Sequence, residues 1–156
     1  MTVLLRTAEA ADSYALWLWA NDPAARAGSG DRGPIEWDHH QAWVAERIAS
    51  AGALVLIAQS TTGRPLGTIR FETEDGWASA RLSYSVAPES RGQGIGRALL
   101  ERGPGVLART RAGTRLVAVV RPTNGVSRHL FATLGWAEEG STPELIRFVR
   151  PAGRLS

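Results

Sequence analysis

Cysteine is absent from the chain, and so is lysine: the 18 basic residues are all arginine. Without a thiol there is no disulfide framework, no thiolate nucleophile and no cysteine-held zinc. Without an ammonium side chain there is no Schiff base, and no Walker loop, whose lysine reaches the terminal phosphates. Long apolar runs are missing as well. The longest uncharged stretch, Ile48 to Gly63, carries Ser50, Gly52, Gln59, Ser60, Thr61 and Thr62, so it does not read as a membrane-spanning helix. Val3 to Leu5 is the only early apolar run and Arg6 ends it, so no secretory leader is expected and the compartment reads as cytoplasmic.

What is present suits one globular domain. The 156 residues (16.7 kDa), with 44% hydrophobic and 21% charged side chains, predict a single domain over 1–156. A chain of this length buries about 70% of the surface its unfolded form exposes, enough for a core without staples. Eighteen arginines against 15 acids give a net charge of +3. That modest excess suits an anionic small ligand better than nucleic acid or a membrane, neither of which is expected as a partner.

Hydropathy periodicity orders the elements. Val3 to Thr7 reads as a strand, and Ala8 to Ala20 as a helix stopped by Asn21-Asp22-Pro23. Ala24 to Pro34, with Gly28, Gly30 and Gly33, reads as a long small-residue loop. Glu36 to Ala49 predicts a second helix, with Trp37, Val44 and Ile48 on one face. Ala53 to Ala58, Leu66 to Thr73 and Trp77 to Val86 are strands, the last two joined at the hairpin signal Asp75-Gly76. The middle of the chain is therefore an antiparallel meander. Next comes a helix over Arg97 to Arg109, in which Gly103-Pro104-Gly105 predicts a break, because proline cannot donate to the Leu100 carbonyl. A strand (Leu116 to Val120), a short helix (Asn124 to Leu134, stopped by Gly135) and a last strand (Leu145 to Val149) complete the pattern.

The informative segment is Val86-Ala87-Pro88-Glu89-Ser90-Arg91-Gly92-Gln93-Gly94-Ile95-Gly96-Arg97. A strand that runs through alternating glycines into a helix presents main-chain N–H groups at a helix N-terminus, where orphan donors and the helix dipole favour an anion. The spacing is Gly-x-Gly-x-Gly, which differs from the dinucleotide fingerprint Gly-x-Gly-x-x-Gly, and Arg121 stands where an NAD ribose would need an acid.

Val86-x-Pro88-x-x-Arg91-Gly92-x-Gly94-Ile95-Gly96 resembles the pyrophosphate loop of the GNAT superfamily of acetyl-CoA-dependent N-acetyltransferases. Asn124-x-x-Ser127-x-x-Leu130-Phe131-x-x-x-Gly135-Trp136 is similar to that superfamily's later motif, at its usual distance. Together with the meander, the two motifs cover most of the chain. The resemblance implies an α/β fold of the α+β type: a mixed, mostly antiparallel sheet of six or seven strands, flanked by about four helices and split open near Val86. It implies that the amides of Arg91, Gly92, Gln93, Gly94, Ile95, Gly96 and Arg97 hold the acetyl-CoA pyrophosphate. Val86 and Ala87 would pair their main chain with the pantetheine arm, Asn124 would hydrogen-bond it, and Phe131 would lie beside the thioester sulfur. Many relatives carry Tyr at the place of Phe131 and Glu at the place of Arg81, so the acid and base of those relatives have no counterpart here.

Leu18 to Arg26, with Ile35 and His40-x-x-Trp43, resembles the branch acting on amino-sugar nucleotides and on ribosomal proteins, and Gly67 to Glu72 with Leu82 to Val86 leans toward the sugar acceptors. His40 and Glu72 are the catalytic candidates. An unperturbed imidazole titrates near ~6.5 and takes a proton from an ammonium group at neutral pH, while Glu72 is a candidate water-linked base. Arg26, Arg70 and Arg81 are candidates for an acceptor phosphate, and Asn21 for a substrate hydroxyl. Asp38 and Glu36 near His39 and His40 do not make a metal set, and none is expected. The resulting expectation is acetyl transfer to a small-molecule primary amine, first an amino-sugar nucleotide, with a homodimer as a further expectation. A protein N-terminus, or an acyl-CoA-binding domain without turnover, are the alternatives.

Overall fold

The computed structural model describes residues 2–29 and 33–151. Strands β1 (Leu4–Thr7), β2 (Ala53–Gln59), β3 (Pro65–Glu72), β4 (Ser79–Val86), β5 (Arg115–Val120), β6 (Ala137–Glu138) and β7 (Ile146–Pro151) form one sheet in the order β1-β2-β3-β4-β5-β7-β6. The helices are α1 (Ser13–Ala20), α2 (Pro23–Ser29), α3 (Trp37–Ala49), α4 (Ile95–Ala108) and α5 (Gly125–Thr133). The sheet is mixed and mostly antiparallel, as expected, with β4 and β5 its one parallel pair.

Alternation along β3 sorts the two faces. Ile69 and Phe71 are buried against Leu99, Leu100 and Leu107 of α4, in one core. Val55 and Ile57 of β2 turn the other way, into a second cluster with Leu16, Trp19 and Val44 of α1 and α3. Thr68, Arg70 and Glu72 share that second face because side chains on a strand repeat every two residues. β2 is buried on both faces, which explains its unbroken apolar run.

β4 and β5 pair only at Ser79, Ala80 and Arg81, opposite Arg115, Leu116 and Val117. On its other edge β4 stays paired with β3 as far as Val86, opposite Gly67. From Leu82 to Val86, β4 therefore has a strand on one side only. That divergence is the expected split near Val86.

Three expectations are corrected. The long loop over Ala24 to Pro34 is largely helix α2: Pro23 presets the first turn, Ala24 and Ala25 are strong helix formers, and the Asp22 carboxylate accepts from the Ala25 amide at 3.3 Å. Gly30 lies outside the described residues. With α2 the helices number five among the described residues, in keeping with the expected count of about four. Helix α4 starts two residues before Arg97 and runs on through Pro104 without ending at Gly103. A Cβ at Gly103 would meet Ile69 Cδ1 at 2.8 Å, so glycine lets α4 lie close on β3, and burial of Leu99, Leu100 and Leu107 outweighs the missing hydrogen bond. Among the described residues no helix is long and apolar enough to cross a membrane.

Candidate active site

Gly92 and Gly94 sit at φ 77° and 81°, in the left-handed region that glycine adopts without a steric penalty. A Cβ at either would touch nothing within 4 Å, so the turn needs glycine for its torsions and not for space. Gly94 caps α4 and no side chain satisfies the helix end. The N–H groups of Gly92, Gln93, Gly94, Ile95, Gly96 and Arg97 have no hydrogen-bond acceptor among the described residues. Ile95 is buried and anchors the turn, while Gln93 and Arg97 are exposed and Arg97 pairs with Glu101 at 2.7 Å. A row of unsatisfied donors at a helix N-terminus fits a diphosphate. Arg91 reaches sideways to Asp22 at 2.8 Å, tying this turn to the start of α2, and that hydrogen bond holds the Asp22 carboxyl below the usual range.

The two strand residues expected to pair with a pantetheine arm differ. The Ala87 N–H donates to the Leu66 carbonyl at 2.9 Å and its own carbonyl accepts from Ser90 at 2.8 Å, so both main-chain groups are engaged. Alternation along the strand then turns the N–H and C=O of Val86, and those of Tyr84, toward the open edge. Val86 therefore has main-chain groups open to an arm along that edge, and Ala87 has none left.

Across the opening, α5 presents Asn124, Ser127 and Phe131. Asn124 Oδ1 caps its helix by accepting from the Ser127 amide at 3.2 Å, and its Nδ2 has no partner among the described residues, leaving it as a donor. Phe131 is 1% exposed, stacked on Phe148 (centroids 5.1 Å apart) and edge-on to Trp136. The ring expected beside a thioester sulfur is therefore sealed in the core. Two other hydroxyls join β4 to α5 here: those of half-buried Tyr84 and buried Ser127 hydrogen-bond at 2.6 Å. Tyr84 lies inside β4, ahead of the motif that begins at Val86, so no spacing in the sequence marks it.

Behind β4, on the face of α1 and α3, lies a cavity of about 720 Å³ walled by Trp19, His40, Trp43, Thr68, Arg70 and Ser85 among others. Ser85 lies beyond the last β4–β5 pair, so the same strand segment borders both the opening and the cavity. His40 is 6% exposed, and its Nδ1 is buried with no hydrogen-bond partner. Burial first, then the charges of Arg70 and His39, hold its pKa below the ordinary imidazole value. The ring is therefore neutral at neutral pH. The Arg70 guanidinium lies 4.7 Å over the Trp43 ring and is gripped through Nε by Glu72. Arg26, on the rim, donates to the Gly33 carbonyl at 3.1 Å.

Glu72 is not in that wall. Its carboxylate bridges Arg70 and Arg47, the latter at 3.3 Å, and it opens onto a separate polar cleft together with exposed Arg81. Asn21 is also committed: its side chain exchanges two hydrogen bonds with the Ile35 backbone, at 2.7 and 2.9 Å, and the Trp17 indole donates to the same Ile35 carbonyl at 2.7 Å. It shapes the rim of the cavity. No cluster of three metal-ligating side chains occurs among the described residues.

The family model of the GNAT acetyltransferase domain matches residues 2–137. Spermidine N-acetyltransferase from Vibrio cholerae, solved with CoA and spermine, superposes with a TM-score of 0.84 at 18% identity, over 96% of this chain and 95% of that one. A phosphinothricin acetyltransferase from Sinorhizobium meliloti, solved with acetyl-CoA, gives 0.82 at 22% identity over 98% and 90%. Ribosomal-protein-alanine N-acetyltransferase from Brucella melitensis gives 0.80 at 24% over 95% and 99%. No curated protein matches the sequence. A helix N-terminus with unsatisfied amides, a sheet split beside it and a match over most of the chain agree: the protein belongs to the GNAT family of acetyltransferases, whose acetyl donor is acetyl-CoA.

Proposed function

We propose that the protein transfers the acetyl group of acetyl-CoA to the primary amine of a small acceptor that also carries an anionic group, with an amino-sugar nucleotide as the first candidate. The observation carrying this reading is the cavity behind β4, which joins a neutral buried imidazole to a guanidinium and reaches the strand edge that borders the opening. Arg70 is held by Trp43 and Glu72, so its remaining N–H groups are preorganised for a carboxylate or phosphate. Glu36 is the one acid in the cavity wall among the described residues, and Arg26 adds positive charge. A polyamine, positive throughout, suits such a wall poorly.

The chemistry follows from what each group does. The amides of the Gly92–Arg97 turn bind the diphosphate, and Val86 and Asn124 hold the arm. His40 takes a proton from the acceptor's ammonium group, freeing the lone pair that attacks the thioester carbonyl. The outward N–H groups of β4 polarise that carbonyl as negative charge develops on its oxygen. Glu72 acts at one remove, by aiming Arg70.

Thiol release from acetyl-CoA tests this, with spermine, an alanine-initiated peptide, uncharged amines, amino acids with a second acidic group and amino-sugar nucleotides as acceptors. Turnover is expected with the last two classes. Arg70→Gln should raise their KM about tenfold and leave that of uncharged amines within about twofold. Preferred turnover of spermine would overturn the acceptor class. Tight binding of acetyl-CoA with no turnover of any amine would favour the silent acyl-CoA-binding reading, which the absence of a hydroxyl at Phe131 motivates.

A further inference from the structure

We infer that the Tyr84 hydroxyl, held by Ser127, is the proton donor to the departing sulfur of CoA, a role that Phe131 lacks the hydroxyl to perform. The inference rests on the acetyltransferase reading and concerns residues that neither motif assigns to it.

Three observations converge on this pair. The Tyr84 backbone lies past the last β4–β5 pair, with its main-chain N–H and C=O on the open edge beside those of Val86. Its ring passes beneath the start of α4, where a Cβ on Gly96 would meet Tyr84 Cε2 at 3.3 Å. Its oxygen then reaches Ser127 Oγ at 2.6 Å, joining the two walls of the split. Ser127 stands one helical turn after Asn124 and one before Phe131, on the same side of α5. That side is bracketed by the donor for the pantetheine arm at one end and the sealed aromatic ring at the other. The hydroxyl pair sits midway between them.

The atoms balance. The tetrahedral intermediate collapses, the C–S electron pair goes to sulfur, and the Tyr84 O–H proton follows it to give the CoA thiol. The Ser127 hydroxyl donates to the phenolate left behind. Solvent, which has received the acceptor's proton by way of His40, returns one proton to Tyr84.

The test separates contact with sulfur from a structural role. Binding of CoA and of desulfo-CoA, which lacks only the thiol, is measured by calorimetry with wild-type protein and with Tyr84→Phe. Wild type should prefer CoA by about tenfold. Tyr84→Phe should lose that preference, bind desulfo-CoA as wild type does within about twofold, and lose about 30-fold or more in kcat at unchanged KM. Ser127→Ala should show the same pattern at about fivefold. The proposal is overturned if Tyr84→Phe keeps the preference for CoA, or if it weakens CoA and desulfo-CoA alike, which marks a packing role. Because the binding comparison needs no acceptor, it reads out even if no amine is turned over, so loss of the acetyltransferase reading and loss of this assignment are distinguishable.

Discussion

The two sides of the split in β4 are made of different materials. On the α4 side, the groups available to a ligand are main-chain N–H donors set by glycine torsions. On the α3 side they are side chains, the imidazole of His40 and the guanidinium of Arg70, packed against Trp43. A site made of backbone is generic, because any nucleotide diphosphate meets the same amides. A site made of side chains is particular, since each atom depends on one residue and its packing. The first side should accordingly break at glycines and the second at single functional groups.

The sharpest break is expected at His40. His40→Gln keeps a polar planar group of similar reach and removes the proposed base, so kcat/KM should fall about 100-fold, the lower end of general-base contributions. The pH profile is the second readout. With its pKa held below the usual ~6.5, His40 gives wild type a flat rate at neutral pH that declines as pH drops through the lowered value. The variant should lack that acid limb. The same shift has a stability consequence: the unfolded chain takes up this proton before the folded one. The contribution of neutral His40 is therefore whole above ~6.5 and is lost as pH falls through the folded value. Acid melting curves of wild type and variant should converge there.

Gly94→Val tests the other side. A β-branched residue at φ 81° is strained, and relief of that strain re-aims the amides at the start of α4. The CoA dissociation constant should rise about tenfold, which corresponds to ~1.4 kcal/mol, with acceptor KM unchanged. An equal loss at both substrates would mean that the two sides are not separable.

This difference in material also explains what could be read from residues alone. Main-chain sites leave a trace in sequence, because positive φ demands glycine and glycine spacing is visible; Gly92 and Gly94 lie where that spacing puts them, although the helix after them starts two residues before Arg97. Side-chain sites depend on which residues share a face, and that depends on register. His40 and Arg70 are 30 positions apart and meet only because α3 packs on the sheet face that Thr68 and Arg70 also present. Glu72, two residues along the same face, projects into a different cleft and is neutralised by Arg70 and Arg47. Ala87 could be placed on its strand but not on an edge, since the edge is set by which residue first pairs with Leu66. Pro104 misled in the opposite sense: a strong local signal for a break gave way to the packing of Gly103 on Ile69.

The two materials meet at one ion pair, Arg91 with Asp22, and the smallest expected effect lies there. Asp22 belongs to the turn between α1 and α2, next to Ala20 and Ala25 of the cavity wall, and Arg91 to the glycine turn proposed to hold the diphosphate. On the proposed function, half-exposed Arg91 exchanges part of this bond for a diphosphate oxygen, and the pair is then expected to couple the two sides. In Asp22→Asn the guanidinium is released. CoA should then bind about threefold more tightly, and acceptor KM should rise by a similar factor as α2 loses its tether, a modest size consistent with a solvent-screened pair. Wild type carries a further signature. Because the hydrogen bond from Arg91 depresses the Asp22 pKa, the bond's stabilisation is present above the ~3.9 of an unfolded aspartate and disappears as pH falls through the folded value. The variant has no such dependence. If CoA affinity and acceptor KM fail to move in opposite directions, the two sides of the split act independently.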